Sequence, residues 1–347
     1  MNRIRQWLTA PALWLLAGRR GWLSLSVLLL LLLLSVVMFW ASREPPAQRI
    51  GSIVQQQLLN NSQAATAAEV TGAATTSTLL YLIDSLLHKR GGYLSNDLLP
   101  PFVFMDNMPN WEYGVLLQAR DLVRVLRNDI SRSQTQSSEN SHLAVADPAL
   151  HFDHASWWLP STESQYRKAH HALQAYLLQL SDRDDSQAQF FARADNLEEY
   201  LGQVEKRLGN ISQQLSASIG QRRLNTDLSG DASAVSGPGA SAEVAVKTPW
   251  LQIDDVFFQA RGTAWALIHI MRAMELDFAQ VLNDKNAMVG FRQIIRELEA
   301  TQQPIHSLMI LNGAPFGMFP NHSLAMANYI ARANAAVIDL RQLLDQG

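Results

Sequence analysis

The chain has no cysteine among its 347 residues. Disulfides, thiolate nucleophiles and every metal site built on cysteine sulfur are thereby excluded. The lack suits an oxidising compartment, where a stray thiol is a liability. A basic excess is also missing: 28 Lys and Arg stand against 31 Asp and Glu, a net charge of −3. No nucleic-acid partner is expected on that balance. Acidic residues are absent before Glu44, while Arg3, Arg5, Arg19 and Arg20 precede it. No phosphate-cradling G-x-x-x-x-G-K-[ST] loop, no G-x-G-x-x-G turn, no G-x-S-x-G elbow and no H-E-x-x-H pair occurs. Strand-like alternation is scarce and no strict internal repeat is present.

What is present begins with one uncharged apolar run from Gly21 to Ala41, GWLSLSVLLLLLLLSVVMFWA. About 20 apolar residues in helical form span a bilayer core, and a lone run in lipid must be helical to satisfy its own backbone. Trp22 and Trp40 stand at its ends, where amphipathic rings favour the headgroup level. The run exceeds the core of a cleaved signal, and Arg43 and Pro45 crowd the only small-residue site after it. An uncleaved anchor follows. The arginine bias places residues 1–20 in the cytoplasm and the C-terminal part across the membrane, which in a bacterium is the periplasm. Within the leader, the apolar stretch from Ile4 to Leu16 reads either as a short interfacial helix or as a sticky, irregular segment. Setting the four leader arginines aside leaves 24 basic residues against 31 acidic ones, so the remainder carries about −7.

Beyond the run, helix formers dominate, and the expected fold class is all-α: a single transmembrane helix followed by a large helical bundle. Helices are expected over about 47–60, 64–89, 111–131 and 161–181. A heptad seam runs through Phe190, Ala194, Leu197, Leu201, Val204, Leu208, Ile211 and Leu215. A helix that long needs a lengthwise partner, and an antiparallel hairpin with 161–181 is the simplest. The Ser/Gly/Ala-rich segment 225–247 reads as a flexible linker or long loop. It divides the exported part into helical regions 42–224 and 248–347, the second packing on the first. Two apolar loops punctuated by Pro and Gly interrupt the helices, at 98–109 and 308–320. Either they fill irregular core or they are exposed for binding. The binding candidates are Phe102, Phe104, Pro109, Pro315, Phe316 and Phe319.

Chemistry-bearing clusters are few. Asp97 and Asp106 flank the first apolar loop and could act as the paired carboxylates of a glycan hydrolase; acidic residues near helix starts also serve as caps. His151, Asp153 and His154 form a short cluster of metal-ligating types, with a loop cluster beside Trp157-Trp158 as the plainer alternative. Arg120, Arg124 and Arg127 make a stripe that could meet lipid headgroups or phosphate, or form a solvated face. No cofactor is expected.

Three stretches carry a family resemblance: GGYLSNDLLPP from Gly91, DNMPNWEYG from Asp106 and RDLVRVLRNDISRSQTQ from Arg120. In these the chain resembles a proteobacterial family of uncharacterised inner-membrane proteins, domain-of-unknown-function family 2333. The resemblance implies a Gram-negative inner-membrane protein and brings no activity and no catalytic residue with it.

The leading expectation is a membrane-anchored, non-enzymatic scaffolding or interaction protein of the cell envelope. Its partners would be the lipid bilayer and an envelope protein or a second copy. The alternatives are an envelope hydrolase using Asp97 and Asp106, and a ligand-sensing module without its own output domain.

Overall fold

A computed structural model describes residues 19–59, 70–132, 139–182, 188–224, 243–307, 309–314 and 317–346. Among them are eleven α-helices, the all-α fold expected. They are α1 Arg19–Ala41, α2 Ile50–Leu59, α3 Ala73–His88, α4 Asn107–Val125, α5 Ser141–Leu150 and α6 Thr162–Ser181. Then come α7 Ala194–Ser216, α8 Ile253–Asp277, α9 Ala279–Asp284, α10 Met288–Ala300 and α11 His322–Asp345. A short antiparallel ribbon, β1 Gln221–Leu224 with β2 Glu243–Val246, brackets residues 225–242. Most of the linker read over 225–247 thus lies outside the described residues, and its last part is β2. Gly21–Ala41 is long and apolar enough to cross a membrane, and its apolar side chains are largely exposed until Ala41, which is buried against the body.

Four helix starts are capped by the side chain that precedes them. Asp106 accepts from the Asn107 amide to cap α4, and Pro109 falls in the first turn, where a missing N–H costs nothing. Asn140 caps α5 by accepting from the His142 and Leu143 amides, Ser161 caps α6 and Asn321 caps α11. The start of α3 has no side-chain cap of its own. Asp277, at the end of α8, supplies one from across the fold by accepting from the Gly72 and Thr75 amides at 2.8 and 2.7 Å. A carboxylate there also complements the positive end of the helix dipole.

At the centre stands α8, apolar on nearly every side as a core helix must be: Phe257, Ala260, Ala264, Leu267, Met271 and Met274 are all buried. It packs most closely on α4. The approach depends on two glycines. A Cβ on Gly262 would lie 2.1 Å from the Trp111 carbonyl oxygen, and one on Gly114 would lie 2.2 Å from that of Gln259.

The heptad helix α7 buries Leu197, Leu201, Val204, Leu208, Ile211 and Leu215, as its period predicts. Its partner differs from the expected one. It packs along α11, while α6 packs on α5 and α3. The flanking charges show why: Arg341 of α11 reaches both Glu205 and Glu198 of α7, at 2.5 and 3.2 Å. The face of α6 instead buries Tyr166 and Tyr176.

Contacts between helix ends give the helix directions. Asp277 meets the start of α3, so α8 and α3 run oppositely, and Gly91, just after α3, lies against Ala41 at the end of α1. That fixes one end of the bundle as the α1 end. Asn110 and Asp255, in the first turns of α4 and α8, are hydrogen-bonded at 2.7 Å, so these two helices run together, away from that end. Asn96 bonds Glu163 at the start of α6, and His322 at the start of α11 sits 6.4 Å from the ring of Phe257. Four helices (α4, α6, α8 and α11) therefore begin at the α1 end.

The glycine crossing predicts a specific defect. Gly262→Ala forces α4 and α8 apart, and overpacking of this kind costs on the order of 1–3 kcal/mol. Thermal unfolding of the detergent-solubilised chain, followed by circular dichroism, should show a lower midpoint for this variant and almost none of that loss for Gly51→Ala, where a Cβ meets nothing within 4 Å.

Candidate functional site

The features that could do something converge at the α1 end. Directly after α1 the chain is held. Ala41 is fully buried. Glu44 receives a two-pronged pair from Arg261 of α8: Nε to Oε1 at 2.8 Å and Nη2 to Oε2 at 2.7 Å. The third guanidinium nitrogen, Nη1, donates to the carbonyls of Thr301 and Gln303 where α10 ends. Four residues past Glu44, the Gln48 amide donates to Nε2 of His269 at 3.1 Å. The Nδ1 of that ring faces the Trp265 carbonyl at 2.7 Å. A proton on Nδ1 and a bare Nε2 satisfy both contacts. Burial holds this histidine in its neutral form by lowering its pKa to about 4. Trp265 and Tyr81 pack against it, with ring centres 4.3 and 5.4 Å away, and Trp111 packs on Trp265 at 5.1 Å. An arginine in a flat fork of this kind suits a buried carboxylate well.

A second buried pair shapes the loop beside it. Glu112 of α4 and Lys89 after α3 are both sealed from water and bonded to each other. Burial raises the Glu112 pKa, and the Lys89 ammonium opposes that shift. The carboxylate also accepts from the Leu94 and Ser95 amides at 2.8 and 2.9 Å. The first half of the loop 89–106 is thus pinned by these bonds, and the second half rests on the core through Phe102 and Met105 with Phe104 exposed between them.

That loop and the 151–161 connection enclose a cleft of about 880 Å³. Asp97, Glu163, Asn96, Leu98, Phe102 and Trp157 are among its lining residues. Burial and then the nearby Glu163 raise the Asp97 pKa. Asn96 bridges Glu163 and the Ser156 carbonyl through its amide nitrogen, both at 3.0 Å. A smaller cavity of about 410 Å³ lies beyond Arg261, with His306, His322 and Tyr329 on its walls.

The residues singled out in the sequence distribute as follows. Asp97 faces the cleft with Glu163, whereas Asp106 caps α4 and neighbours Asp255, whose pKa is raised by burial and then by Asp106. Glu163 was not marked in the sequence, and only its place three residues behind Pro160 could have drawn notice. Phe102 packs partly inward, while Phe104 is 69% exposed and Phe319 68% exposed. Pro109 lies in the first turn of α4. Pro315 and Phe316 lie outside the described residues. Arg120 donates to the Leu150 and Phe152 carbonyls at 2.7 and 2.6 Å, closing the end of α5. Arg124 meets Nε2 of His151, and Arg127 pairs with Glu139 and Asp147. The stripe therefore faces α5 and its flanks. His151 turns to Asp147 and Arg124, His154 stacks on Tyr113 at 4.9 Å, and Asp153 accepts from the Ala155 amide. Among the described residues no group of three or more His, Asp or Glu is placed to hold a metal ion.

The tie after α1 gives a direct test. Removing Glu44 leaves the Arg261 guanidinium buried and without its acid, a loss that costs about 3–5 kcal/mol in comparable pairs. Glu44→Ala should raise hydrogen exchange over residues 42–49 and widen the spin-label distance distribution between α1 and α8. An unchanged distribution would show that the pair does not hold the two together.

Residues 16–347 match a family described as uncharacterized protein conserved in bacteria (DUF2333). The chain belongs to that family. No curated protein and no solved structure matches it.

Proposed function

We propose that this member of the bacterial family is a single-pass inner-membrane protein, with its first residues in the cytoplasm and its helical body in the periplasm. There it serves as a non-enzymatic scaffold of the cell envelope. The observation that carries this reading is the hold on the chain directly after α1. A free domain on a tether would leave residues 42–49 loose. Here Glu44 and Gln48 are bonded to the central helix α8, so the body has a set attitude to the helix that anchors it. A set attitude is what a scaffold needs and what a tethered soluble enzyme does not. The leader arginines and the lack of acid before Glu44 support the orientation. An envelope protein or a second copy of the chain is the partner that a scaffold implies.

Because the chain has no cysteine, its topology is directly mappable. Asn2→Cys should react with a membrane-impermeant maleimide only after lysis, and Gln346→Cys should react in intact spheroplasts. The reverse pattern overturns the orientation.

One observation favours a second reading. Asp97 and Glu163 share a cleft, and the raised pKa of Asp97 suits a general acid. An envelope hydrolase would thus use Asp97 with Glu163, not Asp97 with Asp106. It predicts that Asp97→Asn and Glu163→Gln each reproduce the phenotype of deleting the whole chain. Normal growth and envelope integrity in both variants would remove it.

A further inference from the structure

The helices that begin at the α1 end share one property that the fold does not require. Each is entered through a loop whose tip is apolar and exposed. Before α4 stand Leu99 and Phe104; before α6, Trp158 and Leu159; before α8, Trp250; before α11, Met318. Exposure is 85% at Leu159 and 95% at Met318. Outside α1, the described residues include sixteen exposed large apolar side chains, and twelve of them lie in these four loops. The other four are Val145, Leu276, Val289 and Leu343, on the helices themselves. Proteins in water rarely gather exposed apolar groups on one face without something to cover it.

We propose that what covers this face is the lipid bilayer: the four loop tips insert into the membrane interface around the exit of α1. The inference rests on the anchor reading given above and extends it from one helix to the whole end of the body. Three observations favour lipid over a protein. The tips lie at the end of the bundle where α1 enters it, and Ala41 is packed against Gly91, a wall of the same cleft as Leu98, Leu99 and Trp157. The Glu44 and Gln48 bonds fix that end toward α1, so the tips cannot swing away from a membrane that α1 crosses. The tips also carry the residue type that prefers the headgroup level: Trp157, Trp158 and Trp250 are all exposed. Arg43, at the exit, sets its guanidinium 5.0 Å over the Phe39 ring, a position suited to the same layer. Insertion of scattered tips needs no preformed groove, and each buried apolar side chain adds to the hold.

The test uses the full chain in vesicles of phosphatidylethanolamine and phosphatidylglycerol. Single cysteines are placed by Leu30→Cys, Leu99→Cys, Leu159→Cys, Met318→Cys and Val289→Cys, and each is labelled with an environment-sensitive fluorophore. Lipids brominated at different depths serve as quenchers. The expected result is deep quenching at 30, shallow quenching at 99, 159 and 318 that is several-fold above that at 289, and blue-shifted emission at the three tips. Quenching at 30 with tips no more quenched than 289 would overturn the docking and leave the anchor intact. No quenching at 30 would sink the anchor reading and the docking with it. Tips unquenched in vesicles but shielded from iodide in native membranes would assign the face to a protein and overturn the lipid assignment.

Discussion

Arg261 is the group on which the arrangement depends. It is buried on the central helix and spends its donors in two directions: on Glu44 after α1, and on the carbonyls of Thr301 and Gln303 after α10. An arginine cannot shed its charge to suit a buried site. Glu44 is therefore required, and its place three residues past Ala41 brings α1 directly onto the body. The short segment from Ala41 to Ile50 does the work that a flexible stalk does in a tethered protein, with the opposite mechanical effect.

Two further buried charges act in the same way on loops instead of helices. Glu112 gathers Lys89, Leu94 and Ser95, and Asp277 gathers the first turn of α3. In each case a carboxylate accepts backbone amides that would otherwise be unsatisfied. The bundle is thus held by a wide apolar core and indexed by a few ionic points.

Periodicity made much of the fold legible. The apolar run at 21–41, the heptad face of α7 and the caps at Asp106 and Ser161 are all written in residue spacing. The partner of α7 was not legible, because a seam states that a partner exists without stating which. The choice of α11 rests on Arg341 meeting Glu198 and Glu205, residues distant in sequence from it. Helix α5 was hidden by Pro148 inside it and by the polar residues before Asn140. At the candidate site, Asp97 and the apolar loop residues could be named, whereas Glu163, Glu44, Arg261 and His269 could not. Their importance comes from burial and from partners that only folding brings near. The arginines at 120, 124 and 127 show the converse: a stripe on one helix face is visible in sequence, but its faithful attachment to α5 is not.

The shared direction of α8 and α11 has a mechanical meaning. At about 1.5 Å per residue, α8 and α11 are each about 36–38 Å long, and both start at the α1 end. The joint to α1 lacks slack, so the body is a lever whose fulcrum is the segment around Glu44. A tilt of α1 by about 5° becomes about 3 Å of travel at the far end of such a lever. In the single-pass reading proposed above, bilayer thickness or curvature, which sets the tilt of a spanning helix, would thereby be transcribed into the position of the far end of the bundle.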